Sequence, residues 1–319
     1  MIGRWWRIAL GLAFVTAAIV LFRHDLTAAA ELLRERLTAV TAAGILICAA
    51  LHFVNEPLRW WVLLRRQTPP ARWGQTYHAI MVTSLTSYTF PARLGVPVRV
   101  LMGRRILGLD YVTTGALLLA DSTLNYALWG VAGIAGIVTL LPRSSLLLPA
   151  ELIVVAAAGV VAVMVATRQG WMLANRPHLA ASLQLLSLPA AMCNVALLTF
   201  DIVMLGIRHT FILSALGVDP SFVTVTLAVA TSIVAGFLSP LPLGLGTYDV
   251  SLAYLLISVG VAREVAIAVP LINRVASLLV AVTLGGTSLA RLGINLRAEL
   301  STATASTLTP PTRSTENAS

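Results

Sequence analysis

The sequence predicts an all-α, polytopic membrane helix bundle in which two broken or re-entrant helical hairpins form an inverted repeat. Three observations predict it. The 319 residues are 58% hydrophobic and only 11% charged, with a mean hydropathy of +0.87, far from the soluble average of about half apolar and a quarter charged. Apolar runs long enough to cross a bilayer core, which takes about 20 residues, follow one another with short connections. Two further apolar regions are interrupted near their middles by proline and glycine in the same pattern.

In chain order, the first element is an apolar stretch over Trp5 to Phe22, preceded by Arg4 and Arg7 and followed by Arg23-His24-Asp25. The charges after it, ahead of the small residues Ala28-Ala29-Ala30, favour an uncleaved anchor helix over a secretory leader. Further spans are expected at Thr38–Leu64, Gly115–Leu141, Leu146–Thr167, Leu183–Ile207 and Val265–Leu289. The integral membrane domain then covers residues 1–290, and residues 291–319, rich in Ser, Thr and Pro, form a disordered cytoplasmic tail.

The two broken regions run from about Gln75 to Leu109 and from Ser221 to Val261. Phe90-Pro91-Ala92-Arg93-Leu94-Gly95 interrupts the first, and Leu241-Pro242-Leu243-Gly244-Leu245-Gly246 the second; both read P-x-x-L-G. Pro91, Gly95, Pro242, Gly244 and Gly246 are the predicted helix breaks, because proline removes a backbone donor and glycine accepts dihedrals other residues avoid. Broken backbone is tolerated at membrane depth only where protein or water satisfies it, so each break implies a cavity or a dipping hairpin. A second Gly follows 13 residues after Gly95 (Gly108) and 14 after Gly246 (Gly260), and an intramembrane charge follows each again, Asp121 and Arg274. This is a degenerate internal repeat, with halves at about 75–141 and 221–289.

All 22 basic residues are arginine and the formal charge is +9. Their placement at the ends of apolar runs fits the positive-inside rule and anionic headgroups rather than nucleic acid. With the N-terminus inside, 15 arginines fall on the cytoplasmic side, Arg59 among them, and 6 outside, including Arg143 and Arg208, with Arg274 left in the membrane. Both termini are therefore expected in the cytoplasm of a bacterial cell, with the domain in its inner (plasma) membrane. Cys48 and Cys193 have no metal-ligand spacing and read as packing residues.

Charge at bilayer depth costs at least about 2.5–3.5 kcal/mol and marks candidate sites. Asp121 and Asn125 share a helical face, Asp201 lies late in its span, and Arg274 lies mid-span beside Asn273. Arg93 and Arg99 follow the first break and Asp249 the second. Arg93, Arg99, Asp121, Asn125, Asp201, Asp249 and Arg274 are the predicted substrate-binding residues. Arg274 is expected to pair with Asp121, and Arg93 and Arg99 to suit phosphate through their guanidinium forks. His52 and His78 read as packing or interfacial residues, and Trp5, Trp6, Trp60, Trp61 and Trp73 as an aromatic belt. No catalytic motif, metal site or cofactor motif is visible, so no enzyme activity and no cofactor is expected.

The stretch Pro91-Ala92-Arg93-Leu94-Gly95 with Arg99, the Asp121 to Asn125 helix, Pro242-Leu243-Gly244-Leu245-Gly246 with Asp249, and Arg274 together resemble the membrane region of the lysylphosphatidylglycerol synthase/flippase family. The resemblance spans about residues 5–290 and is to a stand-alone member of the family, similar to its hopanoid-associated relatives. Leu243 stands where the family has a glycine, Asp249 where it has glutamate, and Val96 where it has an acid. Asp121-Ser122-Thr123-Leu124-Asn125 replaces E-R-x-x-D. The resemblance implies a lipid-handling domain without its aminoacyl-transferase. The expected function is flippase-like translocation of a polar-headed lipid (phospholipid, glycolipid or hopanoid type), and the alternative is a subunit presenting lipid to a separate lipid-modifying enzyme. The expected partner is a membrane lipid.

Overall fold

The computed structural model describes Thr27, Glu31 and residues 34–65, 71–89, 95–140, 188–238 and 246–293. Every extended element among them is an α-helix, and eight long ones set the architecture: α1 (Ala39–Leu64), α2 (Trp73–Thr89), α3 (Gly95–Leu107), α4 (Tyr111–Leu140), α5 (Leu188–Ala215), α6 (Phe222–Leu238), α7 (Thr247–Ser258) and α8 (Arg263–Leu292). The spans expected at Trp5–Phe22 and Leu146–Thr167, the tail from 294 onward, and Pro91, Arg93, Pro242 and Gly244 lie outside the described residues. Four helices, α1, α4, α5 and α8, are long and apolar enough to cross a membrane. Their outward faces carry exposed Val131 and Val138 on α4, Phe200 and Val203 on α5, and Val275 and Leu279 on α8. Such surface suits a lipid environment.

Each proline-and-glycine region is two helices, as the backbone chemistry requires: α2 and α3 flank residues 90–94, and α6 and α7 flank 239–246. Local signals set the ends. The Thr38 hydroxyl accepts the Thr41 N–H at the start of α1. At the start of α4, Asp110 accepts the Thr113 N–H at 2.8 Å. Gly246 precedes α7 at φ 82, a left-handed value that suits glycine, and its N–H is accepted by the Asp249 carboxylate at 3.0 Å.

The helices fall into two sets of four with matching lengths, 26, 17, 13 and 30 residues for α1–α4 and 28, 17, 12 and 30 for α5–α8. The match extends to register. The starts of α1 and α5, and of α2 and α6, are 149 positions apart (188 minus 39, 222 minus 73), and those of α4 and α8 are 152 apart (263 minus 111). At the 152 offset, Gly108 at φ 68 corresponds to Gly260 at φ 93, each closing the short helix before a long one. The sets exchange partners: α1 packs on α5, α4 on α6, and α8 on α2.

The close approaches repeat too. Position Cβ of Gly133 on α4 would lie 2.6 Å from Val234 and 3.3 Å from the Ala230 carbonyl oxygen. Gly285 on α8, 152 positions on, would meet Leu85 at 2.5 Å and the Met81 carbonyl oxygen at 2.8 Å. Met81 and Leu85 are themselves 149 positions before Ala230 and Val234. Small residues that let backbones touch are the expected currency of helix association where no hydrophobic drive operates between helices. The largest apolar cluster, including Leu213, Val225, Leu252, Leu256 and Val269, joins α5 to α8.

Candidate functional site

The polar face of α1 sets the site. In an otherwise apolar helix, His52, Glu56 and Arg59 recur at spacings of four and three, which puts them on one side. That side meets α5, where Asp201 and Arg208 are seven residues apart, again on one face. Arg59, Asp201 and Arg208 are all buried. The Arg59 guanidinium donates from Nη1 to Asp201 Oδ2 at 2.8 Å and stands with Nε 3.4 Å from Asp121 Oδ1. Trp60 Nε1 donates to the other Asp121 oxygen at 3.3 Å, and His52 Nδ1 lies 3.1 Å from Asp201 Oδ1. One arginine is therefore caged by two carboxylates.

Two more ion pairs flank this cage. Arg99, on the first turns of α3, pairs with Glu56, whose second oxygen accepts the Ser84 hydroxyl at 3.1 Å, and its guanidinium lies 5.4 Å from the Trp60 ring centre. Arg274 on α8 makes a two-pronged pair with Asp249, Nε to Oδ1 at 2.7 Å and Nη2 to Oδ2 at 2.8 Å. Asp249 thus both caps α7 and grips α8. Tyr248, its neighbour, is fixed by a short relay. His209 Nδ1 can only donate to the Leu205 carbonyl, 2.7 Å away, so Nε2 accepts the Tyr248 hydroxyl at 3.0 Å.

These residues enclose a cavity of about 560 Å³, within the range of about 300–1,000 Å³ in which proteins hold small ligands. Its charged and titratable walls are His52, Glu56, Arg59, Arg99, Asp201, Arg208, Arg274, Tyr88 and Tyr248, with Asn125 and Asn273. Val96, Tyr126 and Phe237 also line it and are exposed on the outer surface, so the cavity opens toward the apolar surroundings there. Tyr126 and Phe237 stack edge-on, ring centres 4.6 Å apart, across α4 and α6.

The lining follows the same offsets as the helices. At the 149 offset, His52 corresponds to Asp201, Glu56 to Leu205, Arg59 to Arg208, Ser84 to Ile233, Ser87 to Gly236 and Tyr88 to Phe237; at the 152 offset, Val96 corresponds to Tyr248 and Asn125 to Ser277. These eight pairs make up 16 of the 21 lining residues, so the cavity sits where the two sets meet and each contributes equivalent positions to it.

Of the residues the sequence singles out, Arg99, Asn125, Asp201 and Arg274 line this cavity, whereas Asp121 stands behind Arg59 and Asp249 behind Arg274. The expected Arg274–Asp121 pair is not formed. Arg274 pairs with Asp249 and Asp121 with Arg59, because α4 packs on α6 while α8 packs on α2. Arg59 and Arg208, counted by sequence among the arginines flanking the spans, are buried within the described helices. α5 runs on to Ala215, so Arg208 lies two turns inside it, and both arginines are buried in the bundle. His52 is a cavity residue rather than packing, and Trp60 is buried against Asp121 rather than interfacial. His78 bonds Ser288 across α2 and α8 at 3.0 Å. Glu56 was legible as the middle of the His52, Glu56, Arg59 face but is absent from the sequence-based set. Among the described residues no three His, Cys, Asp or Glu side chains stand together as a metal site, and Cys48 and Cys193 are free thiols.

Comparison with known proteins gives the family. Residues 8–285 match the family model of the lysylphosphatidylglycerol synthase TM region, and the chain belongs to that family. No curated protein and no protein of solved structure matches it significantly. It is a multi-pass integral membrane protein linked to lipid handling.

Proposed function

We propose that the protein is a flippase-like translocator that takes the polar headgroup of a membrane lipid into the cavity between the two helix sets. The observation that supports this reading best is the cavity: about 560 Å³, walled by four arginines with Glu56 and Asp201, inside a bundle whose outer faces are apolar. Moving a headgroup across a bilayer requires a polar route that spares it the hydrocarbon, and charged residues held in a shared wet site give that route at far lower cost than charges facing lipid singly. The opening at Val96, Tyr126 and Phe237 leaves room for the acyl chains to stay outside while the headgroup is inside.

The duplicated lining supports alternating access. Sites placed between two repeats let the bundle open to one side or the other by rocking one set against its partner. The reading includes opposite membrane orientation for the two sets, a bacterial inner-membrane location with both termini cytoplasmic, and no chemical step on the lipid. Purified protein in vesicles carrying a fluorescent headgroup-labelled phospholipid tests it: quencher added outside should bleach about half the label in empty vesicles and nearly all of it in protein-containing ones. Bleaching no greater than in empty vesicles overturns translocation, and bleaching only with a co-reconstituted lipid-modifying enzyme reassigns the protein to presenting substrate.

A further inference from the structure

The correspondence between the two sets singles out one arginine without a carboxylate partner among the described residues. Arg59 and Arg208 occupy the same position in the two sets (208 minus 59 is 149). Arg59 is held by Asp201 and Asp121. The residue corresponding to Asp201 in the other set is His52 (201 minus 149), and the one corresponding to Asp121 is Asn273 (121 plus 152). Both acids of the cage are therefore replaced by residues without a fixed negative charge at the second copy, while the arginine is kept.

The geometry agrees with the substitution pattern. Arg208 is 2% exposed, lines the cavity, and has neither a hydrogen-bonded nor an ion-paired partner among the described residues, its Nε and Nη1 being buried and unsatisfied. Asn273, also on the cavity wall, has an unsatisfied buried Oδ1. The other three lining arginines each have a carboxylate: Arg59 has Asp121 and Asp201, Arg99 has Glu56, and Arg274 has Asp249. Four acids are thus spent on three arginines. An unpaired buried guanidinium is strongly unfavourable unless an anion reaches it.

We infer that Arg208 is the seat for the phosphate of an anionic ligand, a phosphodiester headgroup of a membrane lipid, an assignment that rests on the translocator reading for its source but on the uncaged arginine for its chemistry. The fork of the guanidinium matches two phosphate oxygens. Asn273, Tyr88 and Tyr248 line the same cavity and bring an amide and two aromatic hydroxyls to it.

Native mass spectrometry of the purified full chain in detergent tests this, with phosphatidylglycerol, the phosphate-free dioleoylglycerol and inorganic phosphate as separate probes. Two variants are compared. Arg208→Gln removes the charge, and because that charge has no partner the fold should hold, with a thermal midpoint at or above that of the unsubstituted protein. Asn273→Asp restores the missing carboxylate and should cage Arg208 as Asp121 cages Arg59. Phosphatidylglycerol should bind the unsubstituted protein, dioleoylglycerol should not compete, and each variant should weaken binding by about tenfold or more, the loss of one or two charge-assisted hydrogen bonds. Inorganic phosphate competing at equal strength would keep Arg208 as a phosphate seat and move its source from lipid to solution. Undiminished phosphatidylglycerol binding in both variants, or equal binding of dioleoylglycerol, overturns the assignment. Vesicle bleaching separates the two readings: binding lost in both variants without translocation by the unsubstituted protein removes only the translocator, and full translocation by Arg208→Gln removes only the phosphate seat.

Discussion

Arg59 and Arg208 occupy corresponding turns of α1 and α5, and their surroundings differ at two positions: Asp201 and Asp121 close on Arg59, where His52 and Asn273 stand in the other set. At Arg59 the charge is neutralised within the protein and ties α1 to α4 and α5. At Arg208 the same side chain, equally buried, ends on a cavity wall with no ion-paired carboxylate among the described residues. The two arginines hold corresponding positions, and the two carboxylates around Arg59 separate a clamp from a receptor for charge.

That contrast can be broken most forcefully at Arg59. Arg59→Ala leaves Asp121 and Asp201 buried without their cation and should cost about 3–5 kcal/mol, read as a large fall in the thermal midpoint or loss of folded protein. Arg208→Ala should cost far less. Equal losses at the two sites would mean that Arg208 is a structural clamp as well. Next in size, Asp249→Ala removes both the Arg274 pair and the acceptor at the start of α7. Since these side chains keep some exposure, the expected loss is about 1–3 kcal/mol, and a double variant with Arg274→Ala should cost less than the sum of the two single changes.

The register of the two sets is sharpened by Gly133→Ala and Gly285→Ala. Each would push a methyl against the partner helix, and each should destabilise by about 1–3 kcal/mol, by similar amounts. A cost at only one of them would break the correspondence between the α4–α6 and α8–α2 contacts. The smallest effect belongs to Asp110 in the exposed turn before α4. The N–H and hydroxyl of Thr113 hold its carboxyl below the usual carboxylate range. Asp110→Ala should cost about 1 kcal/mol near neutral pH. Because the folded-state pKa is depressed, that contribution is present above the unfolded carboxylate pKa and disappears as pH falls through the lower folded value, so the variant and the unsubstituted protein should converge in acid.

Much of this architecture was legible before any coordinates. The four long helices α1, α4, α5 and α8 follow from apolar runs, and both breaks follow from proline and glycine, since backbone chemistry acts locally. The spacing that tied Gly108 to Gly260 by sequence reappears as two left-handed glycines. The ion pairs were not legible, because a partner is chosen by which helices pack, and nothing local in Asp121 or Arg274 states that α4 goes to α6 and α8 to α2. The span expected to end at Ile207 continues to Ala215, because Arg208 resembles a flanking arginine in sequence whereas the helix carries it and His209 into the bundle, where His209 finds Leu205 and Tyr248. The singular position of Arg208 is set by the register of the two helix sets, which depends on where the helices start and not on any local pattern around Arg208.

The most direct test is an experimental structure of the protein in nanodiscs of phosphatidylglycerol. The account predicts a phosphate within about 3 Å of the Arg208 guanidinium, beside Asn273, with Arg59 still held between Asp121 and Asp201. A phosphate seated instead on Arg59, or an empty cavity with Arg208 paired to a carboxylate of the protein, would contradict it.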